Sequence, residues 1–119
     1  MKIKALVTNN NTMIIDPTVC INADAINSYE IEFIFQQPWD NTLTLYAIFK
    51  PKLDTPIYIA LDDKNKCIIP SLMYHRFSKV GIGLKGQTTE EGVVTRQEIT
   101  NLYYIPVRKS AGNFMEDLI

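Results

Sequence analysis

The feature that most restricts this chain is a two-residue alternation of apolar and polar side chains that recurs along it. In Tyr29-Glu30-Ile31-Glu32-Phe33-Ile34-Phe35 one face reads Tyr29, Ile31, Phe33, Phe35 and the other begins Glu30, Glu32. Successive side chains of a strand point to opposite faces, so the segment predicts a strand with one strongly apolar face. Leu43, Leu45, Ala47 and Phe49 repeat the pattern, with Thr42, Thr44 and Tyr46 between them. Val80, Ile82 and Leu84 do the same, with Lys79, Gly81, Gly83 and Lys85 facing away. Residues 57–61 and 67–69 are shorter runs of this kind, and 3–7, 13–15, 18–21 and 102–107 are outer candidates. Helical spacing is confined to a turn at 70–75 and to the last residues, 114–119.

Turn chemistry separates the runs. Asp62-Asp63-Lys64-Asn65-Lys66 is polar and rich in turn formers, which predicts a hairpin between the runs on either side. Asn9-Asn10-Asn11 is a second expected turn, and the glycine-bounded segment 86–92 a third, longer one. Alternating Gly81 and Gly83 predict that a large aromatic ring or another backbone lies against that strand. Many short strands divided by turns imply an all-β antiparallel sandwich or barrel. An immunoglobulin-like β-sandwich with a short helical turn after Pro70 is the first choice, although the paired cysteines that usually flank its tryptophan are absent. At 119 residues and 46% hydrophobic content the chain fits one compact domain, with 1–110 as the sandwich and 111–119 as a tail.

Lys plus Arg number 12 and Asp plus Glu 13, a net charge of -1 that argues against a phosphate-neutralising nucleic-acid module. Tyr46, Tyr58, Tyr103 and Tyr104, with Arg96, Arg108 and Lys109, could stack and neutralise a strand of nucleic acid. The charge is not concentrated along the sequence, and strand tyrosines serve more often as cross-strand partners, so no nucleic acid is expected. Thr8-Asn9-Asn10-Asn11-Thr12 cuts short the apolar start that a signal peptide would need, and no run approaches a bilayer span. The expectation is a soluble protein made in the cytoplasm, with no membrane association and with Cys20 and Cys67 both reduced.

Catalytic and metal-binding patterns are scarce. His75 is the only histidine, and neither Cys20 nor Cys67 has a neighbouring cysteine, which does not suit a zinc site. Asp62-Asp63 lacks the alternating carboxylates of a calcium loop and suits a turn. Cys67 opens an apolar run, where a free cysteine acts as a small hydrophobe, so a Cys67–His75 dyad is not expected; His75 should be a surface or half-buried residue. Glu30 and Glu32 occupy a solvated strand face, Glu90 and Glu91 a loop, and Gly81-x-Gly83 a strand and not a phosphate loop. No catalytic residue, cofactor or metal is expected, and the chain is read as a non-enzyme.

One ordered pattern resembles a known family. It consists of Ser28-Tyr29 with Phe33-x-Phe35, then Trp39-Asp40, Ala47-x-Phe49, Leu61-Asp62 and Cys67-Ile68-Ile69-Pro70. Val80-Gly81-Ile82-x-x-x-Gly86, Thr100-Asn101 and Val107 with Ser110 complete it, across about two thirds of the chain. The pattern resembles the immunoglobulin-like N-terminal domain of the baseplate upper protein of tailed phages and prophages of Gram-positive bacteria. The resemblance implies a virion structural protein that joins tail, baseplate or fibre components through protein–protein contacts, in multiple copies or as a homo-oligomer. It gives Trp39, Phe33, Phe35 and Phe49 places in the inter-sheet core, has Trp39-Asp40 end the first long strand, and makes Cys67 a buried thiol opposite it. Trp39 is expected to be buried in any case, as the chain's only tryptophan close after Phe33 and Phe35. Family members continue into a stem or fibre, so a chain ending at Ile119 is expected to act as an adaptor and not to reach a host receptor. Two other functions fit the residues: a module that stacks host-surface sugars on Tyr103 or Tyr74, and a small phage-encoded inhibitor of a host enzyme. Phe114 with Leu118 and Met115 with Ile119 would share one face of a helical turn, an expected docking segment at 113–119.

Overall fold

The computed structural model describes residues 1–51 and 55–109. They form ten strands: β1 (Lys2–Val7), β2 (Met13–Ile15), β3 (Ile21–Asn22), β4 (Glu30–Phe35), β5 (Thr44–Pro51), β6 (Ile57–Ala60), β7 (Lys66–Ile68), β8 (Lys79–Glu90), β9 (Val93–Ile99) and β10 (Tyr103–Arg108). A 3₁₀ turn, Ser71–Met73, follows Pro70 as expected. The tail at 111–119 lies outside the described residues, and with it the docking segment.

The strands build two sheets, one ordered β2-β1-β4-β7 and the other β3-β10-β8-β5-β6, with β9 paired to β8. The all-β sandwich is therefore as expected, but the sheets are mixed and not purely antiparallel. β1 runs parallel to β4, and β10 runs parallel to β3. Alternation fixes which face a strand buries and carries no information about its direction. A tight turn forces antiparallel pairing, as Asn9–Thr12 does between β1 and β2, where Thr8 N–H donates to Thr12 O. The long connection from β1 to β4 imposes no such constraint and returns the chain to the same end. That register sets Lys2 beside Glu30 and Lys4 beside Glu32.

Two turns differ from their expected roles. Asp62–Lys66 closes locally, with Asp62 N–H donating to Lys66 O and Asn65 N–H to Asp62 O. Its flanking strands nevertheless part: β6 pairs with β5 in the larger sheet, and β7 with β4 in the smaller. It is a crossover between layers and not a hairpin. The segment 86–92 is not a long turn either. β8 continues to Glu90 and reverses in two residues, Glu91 and Gly92, both at positive φ (51° and 81°), before β9 begins. Positive φ at both centre residues is what a tight hairpin with matching twist requires.

The two inner faces meet in one core. The smaller sheet contributes Ile3, Ala5, Val7, Met13, Ile15, Ile31 and Phe33; the larger contributes Ile21, Ala47, Phe49, Val80, Ile82, Leu84 and Ile105. Tyr29, Ile69 and Tyr74 complete the same cluster. Tyr74 is fully buried, so it cannot be the sugar platform considered from the sequence. Its hydroxyl donates to Ala25 O at 2.6 Å, and its ring meets Tyr29 edge-on at 5.8 Å between centroids. The Tyr29 hydroxyl in turn accepts from Asn22 N–H at 2.7 Å. Phe33 and Phe49 lie in the inter-sheet core as expected, whereas Phe35 and Trp39 are only half-buried at its edge. β4 ends at Phe35 before Gln36-Gln37-Pro38, so Trp39 belongs to a loop over the open end of the sandwich and not to a strand facing its middle.

Candidate interaction surface

Register brings onto one face the aromatic and cationic residues that are scattered in sequence. On the outward side of the larger sheet, Tyr46 lies beside Lys85 of β8 and Ala60 of β6. Ile48 lies between Gly83 and Tyr58, and Gly81 between Lys50 and Tyr104. Lys85 Nζ sits 4.0 Å from the Tyr58 ring centroid and 5.9 Å from that of Tyr46, and Lys79 Nζ sits 4.9 Å from Tyr104. Each lysine lies within the range over which an aromatic face attracts a cation.

Gly81 leaves room for a tyrosine ring on this face. A β-carbon there would fall 2.9 Å from Tyr104 Cε1 and 3.1 Å from Lys50 O. The tyrosine ring therefore occupies the space of the missing side chain, as the alternating glycines predicted. Tyr58 and Tyr104 remain exposed, while Tyr103 is half-buried against the core. No Asp or Glu occupies the outward positions of β5, β6 or β10, or of β8 from Lys79 to Gln87. The result is a cationic, aromatic sheet face on a chain of net charge -1.

The open end of the sandwich holds a groove of about 400 Å³ lined by Phe35, Trp39, Asp40, Leu45, Leu61 and Asp62, among others. Its main groups already serve the chain itself. Trp39 Nε1 donates to Asn11 Oδ1 at 3.0 Å, its ring tilts against Phe35 at 5.4 Å, and its Cε3 edge covers Gly86. The Thr42 backbone N–H, and after it the Thr42 hydroxyl, hold the Asp40 carboxyl below the usual carboxylate range; the Arg96 guanidinium also pairs with it. Asp62 is likewise lowered, chiefly by the Lys66 backbone N–H, with that of Lys64 assisting. These carboxylates fix turns, and the indole is engaged on its edges.

The fold shared with a known domain is that of a phage protein. The chain superposes on the N-terminal domain of ORF48 of phage TP901-1 with a TM-score of 0.62 and 18% identity. The match covers 91% of this chain and 97% of that one. No protein-family model matches the chain, and no curated protein matches it. At this identity the likeness is one of fold.

The residues weighed for chemistry are dispersed. Cys67 pairs with Ile31 in the smaller sheet and is half-buried, not opposite Trp39. Burial pushes its thiol up to about 12, and the nearby Asp62 and Glu30 charges add to the rise. A thiol so shifted is a poor nucleophile at neutral pH. His75 is exposed beyond the 3₁₀ turn, and its backbone N–H donates to Ser71 O. Glu30 and Glu32 face Lys2 at 3.8 and 3.9 Å, and Glu30 faces Lys66 at 4.0 Å. Among the described residues no three His, Cys, Asp or Glu side chains converge as metal ligands. Two features escaped the sequence reading: the β9 strand, signalled by Glu91-Gly92 before Val93-Val94-Thr95, and the collection of the tyrosines and lysines on one face, which no local pattern encodes.

Proposed function

We propose that this chain is an immunoglobulin-like structural module of a phage particle that joins tail, baseplate or fibre components through protein–protein contacts, without enzymatic activity. The observation that carries the reading is the fold shared with a phage N-terminal domain over 97% of that domain's length. The ordered residue pattern from Ser28 to Ser110 points to the same kind of particle independently of that superposition. The Tyr46–Tyr58–Tyr104 face with Lys50, Lys79 and Lys85 supports a docking role. Tyrosine supplies large contact area at low entropic cost, and unopposed lysines favour an acidic neighbour.

The test is whether the protein is part of the particle. Mass spectrometry of density-purified virions of the phage that carries the gene should find the chain at a fixed copy number. Particles made with a Lys79→Glu/Lys85→Glu variant should contain less of it. Virions devoid of the wild-type chain would overturn the reading. A sugar-binding function would instead appear as glycan-array binding lost on Tyr58→Ala or Tyr104→Ala.

A further inference from the structure

We infer that β9 is a self-pairing edge through which two copies of this chain join their larger sheets. The inference concerns the isolated chain and does not rest on the phage reading.

β5 pairs with β8 only as far as Thr44 opposite Gln87, so beyond that point β8 pairs, among the described residues, with β9 alone. Thr100 N–H donates to Leu84 O. In an antiparallel ladder the bonded residues alternate, so Glu98 and Arg96 turn their backbone groups toward β8 while Gln97 and Ile99 turn theirs outward. Among the described residues no group hydrogen-bonds to those outward positions, and Val93, Val94, Gln97 and Ile99 are all exposed. Apart from a bulge at Thr95, where the β8–β9 register shifts by one residue, β9 lacks the usual protections of an open edge. It contains neither Pro nor Lys, and its two charged side chains fold back onto the domain, Arg96 onto Asp40 and Glu98 onto Asn11 at 2.8 Å.

A row of unpaired N–H and C=O groups accepts another strand, and the sequence of β9 fits its own copy. An antiparallel two-fold axis through Gln97 bonds the outward Gln97 groups to those of the second copy. The same register brings Arg96 of each copy opposite Glu98 of the other, twice, on the face where Arg96 also pairs with Asp40 and Glu98 also accepts from Asn11. Opposite charges directly across a pair stabilise it, and a two-fold contact uses the same patch on both partners. A two-strand contact is small, so the dimer is expected to be weak and concentration-dependent.

Sedimentation equilibrium of the purified chain, over about two orders of magnitude in concentration, tests this. Expected are a monomer–dimer equilibrium for the wild type and a monomer for Gln97→Pro, which removes an outward N–H that the monomer does not use. Thermal unfolding of that variant should be unchanged. Gln97→Lys, which leaves the backbone intact and sets two cations across the axis, should also be monomeric. Arg96→Glu should weaken the dimer at least tenfold, and Arg96→Glu with Glu98→Arg should restore it. A wild type that stays monomeric throughout, or a Gln97→Lys variant that dimerises as well as wild type, overturns the inference.

Discussion

Removing the Tyr74 hydroxyl tests how the segment between β3 and β4 is tied to the core. In Tyr74→Phe the ring and its edge-on contact with Tyr29 are kept, so no cavity forms. Only the 2.6 Å hydrogen bond to Ala25 O is lost. Such a bond contributes about 0.5–1.5 kcal/mol net, and a buried acceptor left bare costs about 1–3 kcal/mol. Ala25 is half-exposed, so water can replace the hydroxyl and the lower range applies. A loss of about 1 kcal/mol should lower the melting temperature by roughly 4 °C for a domain of this size. Tyr74→Ala, which also empties a fully buried site, should cost about 3–5 kcal/mol, a large part of a typical domain's stability.

The same hydroxyl makes a pH prediction. Burial raises the Tyr74 pKa above 10, and the neighbouring Tyr29 adds to it. Its contribution is fully present below the unfolded-state value near 10. It is lost as pH rises toward the folded-state value, because the unfolded chain ionises first. Thermal unfolding followed by circular dichroism at about pH 7 and about pH 11 should therefore show wild type losing more stability than Tyr74→Phe. Equal alkaline losses, or an unchanged melting temperature for Tyr74→Phe at neutral pH, would refute the reasoning.

Cys67, with its thiol raised to about 12 by burial, should react slowly with a thiol reagent in the native protein at neutral pH and readily in denaturant; fast native labelling contradicts the burial argument. Trp39→Ala should cost about 1–3 kcal/mol, less than a core tryptophan, because the indole is half-buried and held by one hydrogen bond to Asn11; urea titration measures it, and a loss above that range would mean that the loop organises the core. Gly81→Ala should destabilise by about 1–3 kcal/mol because the exposed Tyr104 ring can swing away while the Lys50 carbonyl of the paired strand cannot. Gly92→Ala, with nothing near its β-carbon, should cost about 1 kcal/mol through its φ of 81° alone, read by the same titration.

Much of the architecture is legible in the chain itself. The odd positions from Tyr29 to Phe33 and the even ones from Val80 to Leu84 are buried as the alternation requires, because side-chain direction along a strand is a local property. The Asn9–Asn11 turn and the 3₁₀ turn after Pro70 are local for the same reason. What the tertiary structure decided is which strand each one meets. Asp62–Lys66 has the residues of a hairpin turn and makes its hydrogen bonds, yet its flanking strands join different sheets, each pairing with a strand other than the one across the turn. Cys67 pairs with Ile31, and Ile59 with Ala47. The parallel β1–β4 pair, the half-burial of Trp39 and the lysine–tyrosine face likewise depend on residues distant in sequence. Pairing energies are set between strands and alternation is set within one, so the sequence alone fixed the faces and only the assembled fold fixed the neighbours.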